Sequence, residues 1–311
     1  MRIGVIADAS CDLPEAFLHE HDIGILPVTI QLGADSFDDH RDAAQTRRFY
    51  AEQLAARGLD AETQACSVEQ TRSLLREQLM VDRDYAFCIT LSATRGRTFE
   101  NTAKASFAIL ADAQSGEQQA QPLALRVIDS KTMFSGTGVL VAEAAKLARA
   151  GVTPFEMRRR LEILRDSICA YMVPGDLYYL RNRAQHKGER SVDWFSYAIG
   201  TALDLRPVLL GYRGETQAVA RLRGYEHAVE RMFAHVARQV EAGLELGHLC
   251  VSYGGELERL AELPGYAALQ DATTRHGIQL LASVMSATAA VNVGAGCVSV
   301  AYGGELRPFR L

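Results

Sequence analysis

The chain is poor in features that would assign it quickly, and each shortage excludes something. Positive charge is not in excess, since 33 Lys and Arg stand against 38 Asp and Glu for a formal net charge of −5. Nucleic acid is therefore a disfavoured partner. No apolar run approaches the ~18–20 residues of a membrane span, which argues against stable membrane insertion. The first apolar stretch is only a few residues long before Asp8, too short and too soon acidic for a signal peptide. The six cysteines lie far apart with no Cys-x-x-Cys pair, so neither a disulfide framework nor a zinc site is expected. That pattern suits a reduced cytoplasm. The eight histidines show no ligand spacing and no H-E-x-x-H frame, and no G-x-G-x-x-G or P-loop is present, so no metal or other cofactor is expected.

What is present reads as an α/β protein. At 311 residues the chain exceeds the usual size of one core and predicts two domains, placed at 1–165 and 166–311. Apolar runs alternate with amphipathic stretches through the first half: Ile3–Ala7, Ile25–Leu32, Tyr85–Leu91 and Ala124–Ile128 each precede a helical pattern. This alternation predicts a parallel sheet covered on both faces. Asp12 before Pro14 and Glu15 reads as a helix N-cap, Ser135 or Thr137 as the cap of a later helix, and Pro154 as the start of a helix running to about Ile168. The charged segment 182–196, which holds the single tryptophan, reads as a surface excursion or hinge. Beyond it, Arg206 to Ala220 reads as two strands joined by a turn at Arg213-Gly214, and Tyr225–Glu241 as a helix.

Several constellations carry polar chemistry. Asp8, Ser10 and Asp12, and again Asp129 and Ser130, follow apolar strands, where open α/β sheets place functional groups. The same residue types also serve as caps and turn formers. Leu91-Ser-Ala-Thr-Arg-Gly-Arg-Thr98 is a strand exit rich in hydroxyls, with Arg95 and Arg97 beside Gly96. Hydroxyls, backbone N–H groups and a guanidinium converging there would suit a carboxylate or phosphate, and a solvated cap is the alternative. Gly136-Thr-Gly138 opens a helix and reads as close packing, and Asn292 precedes a Gly-x-Gly bend at Gly294 to Gly296.

Taken in order, these segments resemble the DegV family of bacterial fatty-acid-binding proteins. The family's T-D-S-T-x-D-L-P is similar to Ala7-Asp-Ala-Ser-Cys-Asp-Leu-Pro14, and its V-I-D-S with a Gly-rich helix start to Val127 through Gly138. Tyr179-Leu180 with Gly188-Glu-Arg190 resembles its Y-L-x-x-G-G-R-I. Arg206-Pro-Val-Leu209, Arg213-Gly214 and Arg221-Leu-Arg223 resemble its K-P-I-L, D-G and K-x-R. The resemblance implies an N-terminal parallel-sheet α/β domain plus a smaller C-terminal α/β domain with a mixed sheet, and a long acyl chain buried between them. It further implies a carrier with no catalytic residues, whose fatty acid is presented to a kinase with a dihydroxyacetone-kinase-like domain, feeding acyl phosphate into phospholipid synthesis.

By the same resemblance the head group lies at three places. The family's T-S-x-P-S is similar to Thr63-Gln-Ala-Cys-Ser67, which keeps Thr63 and Ser67 without the proline. Its S-x-L-S-G-T is similar to Ser92 through Thr98, where Gly96 stands for the binding serine and Arg97 for the following glycine. Its H-T-G-P-G is similar to Asn292 through Gly296, with asparagine for histidine. Ligand contacts are thus expected from Thr63, Ser67, Ser92, Gly96, Arg97, Thr98 and Asn292, and kinase docking from Arg190 and Arg223. The competing reading is an enzyme, a phosphohydrolase for example, that uses Asp8, Asp12 and Asp129 at the strand ends.

Overall fold

A computed structural model describes residues 1–54, 61–115, 124–179 and 204–310. Its strands form three sheets. The first has the order β2-β1-β6-β7, built from β1 (Ile3–Asp8), β2 (Gly24–Leu26), β6 (Tyr85–Thr90) and β7 (Ala124–Asp129), and every pairing in it is parallel. Helices cover both faces, as expected. Val5, Ala7, Phe87 and Ile89 pack with α1 (Glu15–Glu20) and α5 (Ser135–Arg149) on one side. Ile6, Ala86 and Cys88 pack on the other with α3 (Val68–Leu74) and α4 (Thr98–Ser115).

The second sheet is mixed, with the order β10-β9-β8-β13-β11-β12. It comprises β8 (Ile168–Val173), β9 (Leu205–Tyr212), β10 (Glu215–Arg223), β11 (His248–Tyr253), β12 (Gln279–Val284) and β13 (Val298–Gly303). Only the β11–β12 pairing is parallel. Arg213 and Gly214 both have positive φ, 52° and 86°, which suits the tight turn expected there. α7 (Tyr225–Glu241) and α8 (Tyr266–Arg275) cover one face, and α6 (Pro154–Leu164) packs on α5.

Three expectations are corrected here. The run Ile25–Leu32 is not one strand: Pro27 has no N–H for a ladder, so β2 ends at Leu26. β3 (Val28–Leu32) then joins β4 (Asp35–Asp39) and β5 (Ala61–Ala65) in a third, antiparallel sheet. The helix from Pro154 stops at Leu164 rather than near Ile168. Ile168 instead opens β8, whose six residues are all buried, because an unbroken apolar run fits a central strand better than a half-solvated helix. Neither expected hydroxyl or carboxyl cap forms. Pro14 holds the α1 cap position and Phe134, at φ 53°, that of α5, while Asp12 and Ser135 bond across the molecule.

α5 is the axis of the fold. It packs against β1 and β6 on one side and against β8, β11 and β13 on the other, so its first turns are buried all round. Two glycines permit this approach. A Cβ at Gly138 would lie 2.6 Å from the backbone oxygen of Asp12, and one at Gly136 would lie 2.1 Å from Thr132 Oγ1. All six cysteines are buried and unpaired. Among the described residues no helix is long and apolar enough to cross a membrane.

Candidate functional site

In the first sheet β1 and β2 are wound one way and β6 and β7 the other, so the crevice past the carboxyl ends of β1 and β6 is the topological switch point. Asp8 bridges it. Its carboxylate accepts hydrogen bonds from the Ser10 backbone N–H and hydroxyl and, through Oδ2, from Leu91 N at 2.6 Å. Burial raises the Asp8 pKa, and these three donors work against that rise. The strand exits 9–13 and 91–98 are thereby set side by side.

The 92–98 loop is framed by both sheets. Ser92 N donates to Thr132 O at 2.8 Å, and Asp129 Oδ1 accepts from Ala93 N at 3.1 Å and Lys131 N at 2.9 Å. From the second sheet, Gly214 O accepts from Thr94 Oγ1 at 2.9 Å and Thr216 Oγ1 from Arg95 Nη2 at 2.6 Å. Ser92 is buried and its hydroxyl faces Thr94 Oγ1 at 3.0 Å. Gly96 is exposed and extended, with open space where a side chain would stand, and Arg97 is exposed. Thr98 is buried at the start of α4.

The other two expected segments meet through β5. Thr63 is half-buried and stands opposite Ile30, so the two share a face of the small sheet. That sheet packs on α9 (Ala287–Val293), with Ile30 in one cluster with Ala287, Ala290 and Val291. Past the strand, Cys66 O accepts from Asn101 Nδ2 at 2.8 Å, which ties the end of β5 to the first turn of α4. Ser67 is exposed and caps α3 in a reciprocal box with Gln70. Asn292 lies in the last turn of α9, half-buried, with Nδ2 2.7 Å from Thr288 O.

A set of grips on the β12–α9 junction carried no signal in sequence. Asp12 Oδ1 accepts from Ser286 N at 2.9 Å, and Asp39 Oδ2 accepts from both Thr288 N and Thr288 Oγ1 at 2.8 Å. Arg41 Nη2 donates to Val284 O at 3.1 Å and Tyr50 OH to Met285 O at 3.0 Å. Arg41 also lies 3.9 Å from Asp12, both buried. Burial raises the Asp12 pKa and the Arg41 charge opposes it. These partners are more than 230 residues apart, and Asp38-Asp-His-Arg-Asp42 reads locally as a solvated charge run.

Asp8, Asp12 and Asp129 are each engaged by backbone N–H groups, and no cluster of three or more metal-ligating side chains occurs among the described residues. His235 and His248 are buried and bonded, His235 to the Tyr171 hydroxyl at 3.0 Å and His248 to Val139 O at 3.1 Å. Arg223 is exposed at the far end of β10, the outer strand of the mixed sheet. Arg190 and the 182–196 segment lie outside the described residues.

The family model described as "Uncharacterised protein, DegV family" matches residues 2–305. The chain belongs to the DegV family. This DegV chain is 46% identical over 312 residues to a DegV domain-containing protein of Xanthomonas axonopodis pv. citri, with 99% of each chain covered. It shares its fold with a stearic-acid-binding protein from Eubacterium ventriosum, at TM-score 0.77 and 18% identity over 96% of this chain and 97% of that one. DegV of Bacillus subtilis, a fatty acid binding protein, superposes at TM-score 0.76 and 18% identity over 98% and 100%.

Proposed function

We propose that this DegV chain is a carrier that binds a long-chain fatty acid, buries its tail and holds its carboxyl group where the 92–98 loop, β5 and α9 meet. The observation that supports this reading is that Asn101, in the turn of α4 that follows the 92–98 loop, bonds to Cys66 at the end of β5, while β5 packs on α9. Ser92, Thr63 and Asn292 supply buried or half-buried polar groups, with Gly96, Arg97 and Thr98 at the rim. Ser67, which caps α3 just past the strand that holds Thr63, is the remaining proposed contact to the head group. The fold shared with proteins described as binding stearic and other fatty acids supports the same ligand class.

The tail is assigned to the cluster on the other flank of α9, where Met133, Met172 and Met285 gather with Phe134, Leu209 and Val293. Unbranched, polarizable methionines adapt to a flexible chain. Each buried methylene contributes about 0.8 kcal/mol, so the tail supplies most of the affinity. The two lobes divide near residue 165, the site lies between them, and the protein works in the reducing cytoplasm, where its buried thiols stay free. Native mass spectrometry of the purified protein, with extraction of whatever it carries, tests this: a stoichiometric acid is expected. A clean mass that persists after incubation with C14–C18 acids would sink the proposal.

We further propose that the bound acid is offered to a fatty acid kinase that docks over Arg223 and Arg190. Arg223→Glu is expected to abolish kinase-coupled acyl-phosphate formation while leaving lipid content unchanged; unaltered coupling would refute the docking assignment.

A further inference from the structure

The turn from β7 into α5 holds a backbone conformation that its residue type disfavours. Phe134 has φ 53° and ψ −119°, outside the left-handed helical well, where glycine goes freely and a residue with a Cβ goes only under strain. Two bonds pin that geometry: the Phe134 carbonyl accepts from Gly138 N at 3.0 Å and from Asp12 N at 3.3 Å. Both are made by the backbone, and a glycine would make them without strain. What phenylalanine adds at this position is its ring.

The ring is buried, and its neighbours come from two further elements. Met172 and Leu209 are paired across β8 and β9, so they share one face of the mixed sheet. Gly211 leaves that face bare, and a Cβ there would stand 3.6 Å from Met133 Cε. Ala289 and Val293, one turn apart, line a side of α9, and Met285 precedes its cap. Among the described residues the cluster is otherwise thioether, aliphatic or small; Phe134 is its one rigid ring. The turn also has a direction. Thr132 O accepts from Ser92 N of the proposed head-group loop, whereas Phe134 is joined through Asp12 to Ser286 N, at the start of α9. Residues 132 to 134 thus run from the head group inward, and Asn292 lies at the opposite end of α9.

We propose that Phe134 is the inner stop of the acyl site: its ring, carried on a strained backbone pinned from two sides, sets the longest straight chain that the protein accepts. This rests on the acyl-binding reading above and names the residue that decides chain length within it. Methionines re-pack around a flexible ligand. A ring on a pinned turn does not, so the upper limit is sharp.

The test uses the full chain stripped of lipid and offered an equimolar series of saturated straight-chain acids from C10 to C20, with bound masses read by native mass spectrometry. The wild-type chain is expected to show an upper limit inside the series. Phe134→Gly removes the ring and the strain together; it is expected to raise the longest acid retained by about two carbons or more and to leave the shortest unchanged. Phe134→Leu is expected to move the limit in the same direction. Retention of every acid up to C20 by the wild-type chain, an unchanged limit in Phe134→Gly, or a range that widens equally at both ends overturns the assignment and leaves the acyl-binding reading standing. If Phe134→Gly does not fold, Phe134→Leu decides, and a wild-type limit in that variant refutes the stop. If no acid binds the wild-type chain, both readings fall.

Discussion

Asp8 shows how a residue that looks chemical in sequence becomes structural once its neighbours arrive. It is fully buried, and its two oxygens receive Ser10 and Leu91, so the carboxylate serves as the joint between the two strands that define the switch point. An asparagine has one acceptor end only and would turn its amide toward one of those N–H groups. Asp8→Asn is expected to lower stability by about 1–3 kcal/mol, the range for leaving a buried donor unpaired, read as a shift in the urea midpoint. A wild-type midpoint in the variant would show that the joint is dispensable. Asp12, Asp129 and Ser130 were equally legible as polar strand ends, but their partners were not. Asp12 bonds to Ser286, which no local pattern connects to it.

Among the elements, α5 was legible as a helix from its apolar periodicity and from Gly151 and Pro154 after it, yet its setting between two sheets was not. A helix with Gly136 and Gly138 in its first turn reads as close packing, with a phosphate cradle as the weaker alternative. The backbone of Asp12 decides for packing, since it leaves no room for a methyl group at Gly138. Gly138→Ala is expected to cost about 1–3 kcal/mol through overpacking and to lower the thermal midpoint. An unchanged melt would mean that the two sheets can part at little expense. The two misreadings at this scale have separate causes. Ile25–Leu32 is broken by the missing N–H at Pro27, and the helix from Pro154 stops before Ile168 takes its place in the centre of the mixed sheet.

For the whole molecule, buried histidines couple the fold to pH. His235, packed between Tyr171 and Phe309, and His248, bonded to Val139 of α5, are each pushed down to about 4 by burial. Both remain neutral when folded but take a proton near 6.5 when unfolded, so the unfolded chain binds more protons between those values. Stability is therefore expected to be full above pH 6.5 and to fall as the pH drops from 6.5 toward 4, approaching two protons taken up per unfolding event over that window. Urea titrations at half-unit steps would show it, and a flat profile would refute the burial of both rings. By itself the sequence determined the βα alternation, the strand-end polar clusters, the tight turn at Arg213-Gly214 and the ordered segments that resemble a DegV protein, because periodicity, turn chemistry and short motifs are local. Only the tertiary structure decided that the end of β5 is tied to the first turn of α4 and packs beside α9, that Asp39 holds Thr288, whose carbonyl accepts from the Asn292 amide, and that Asp12 and Arg41 grip the start of α9. Those relations join residues up to some 270 positions apart. Hydrogen bonds and packing of that kind exist only after the sheets and α5 have brought the two halves of the chain together.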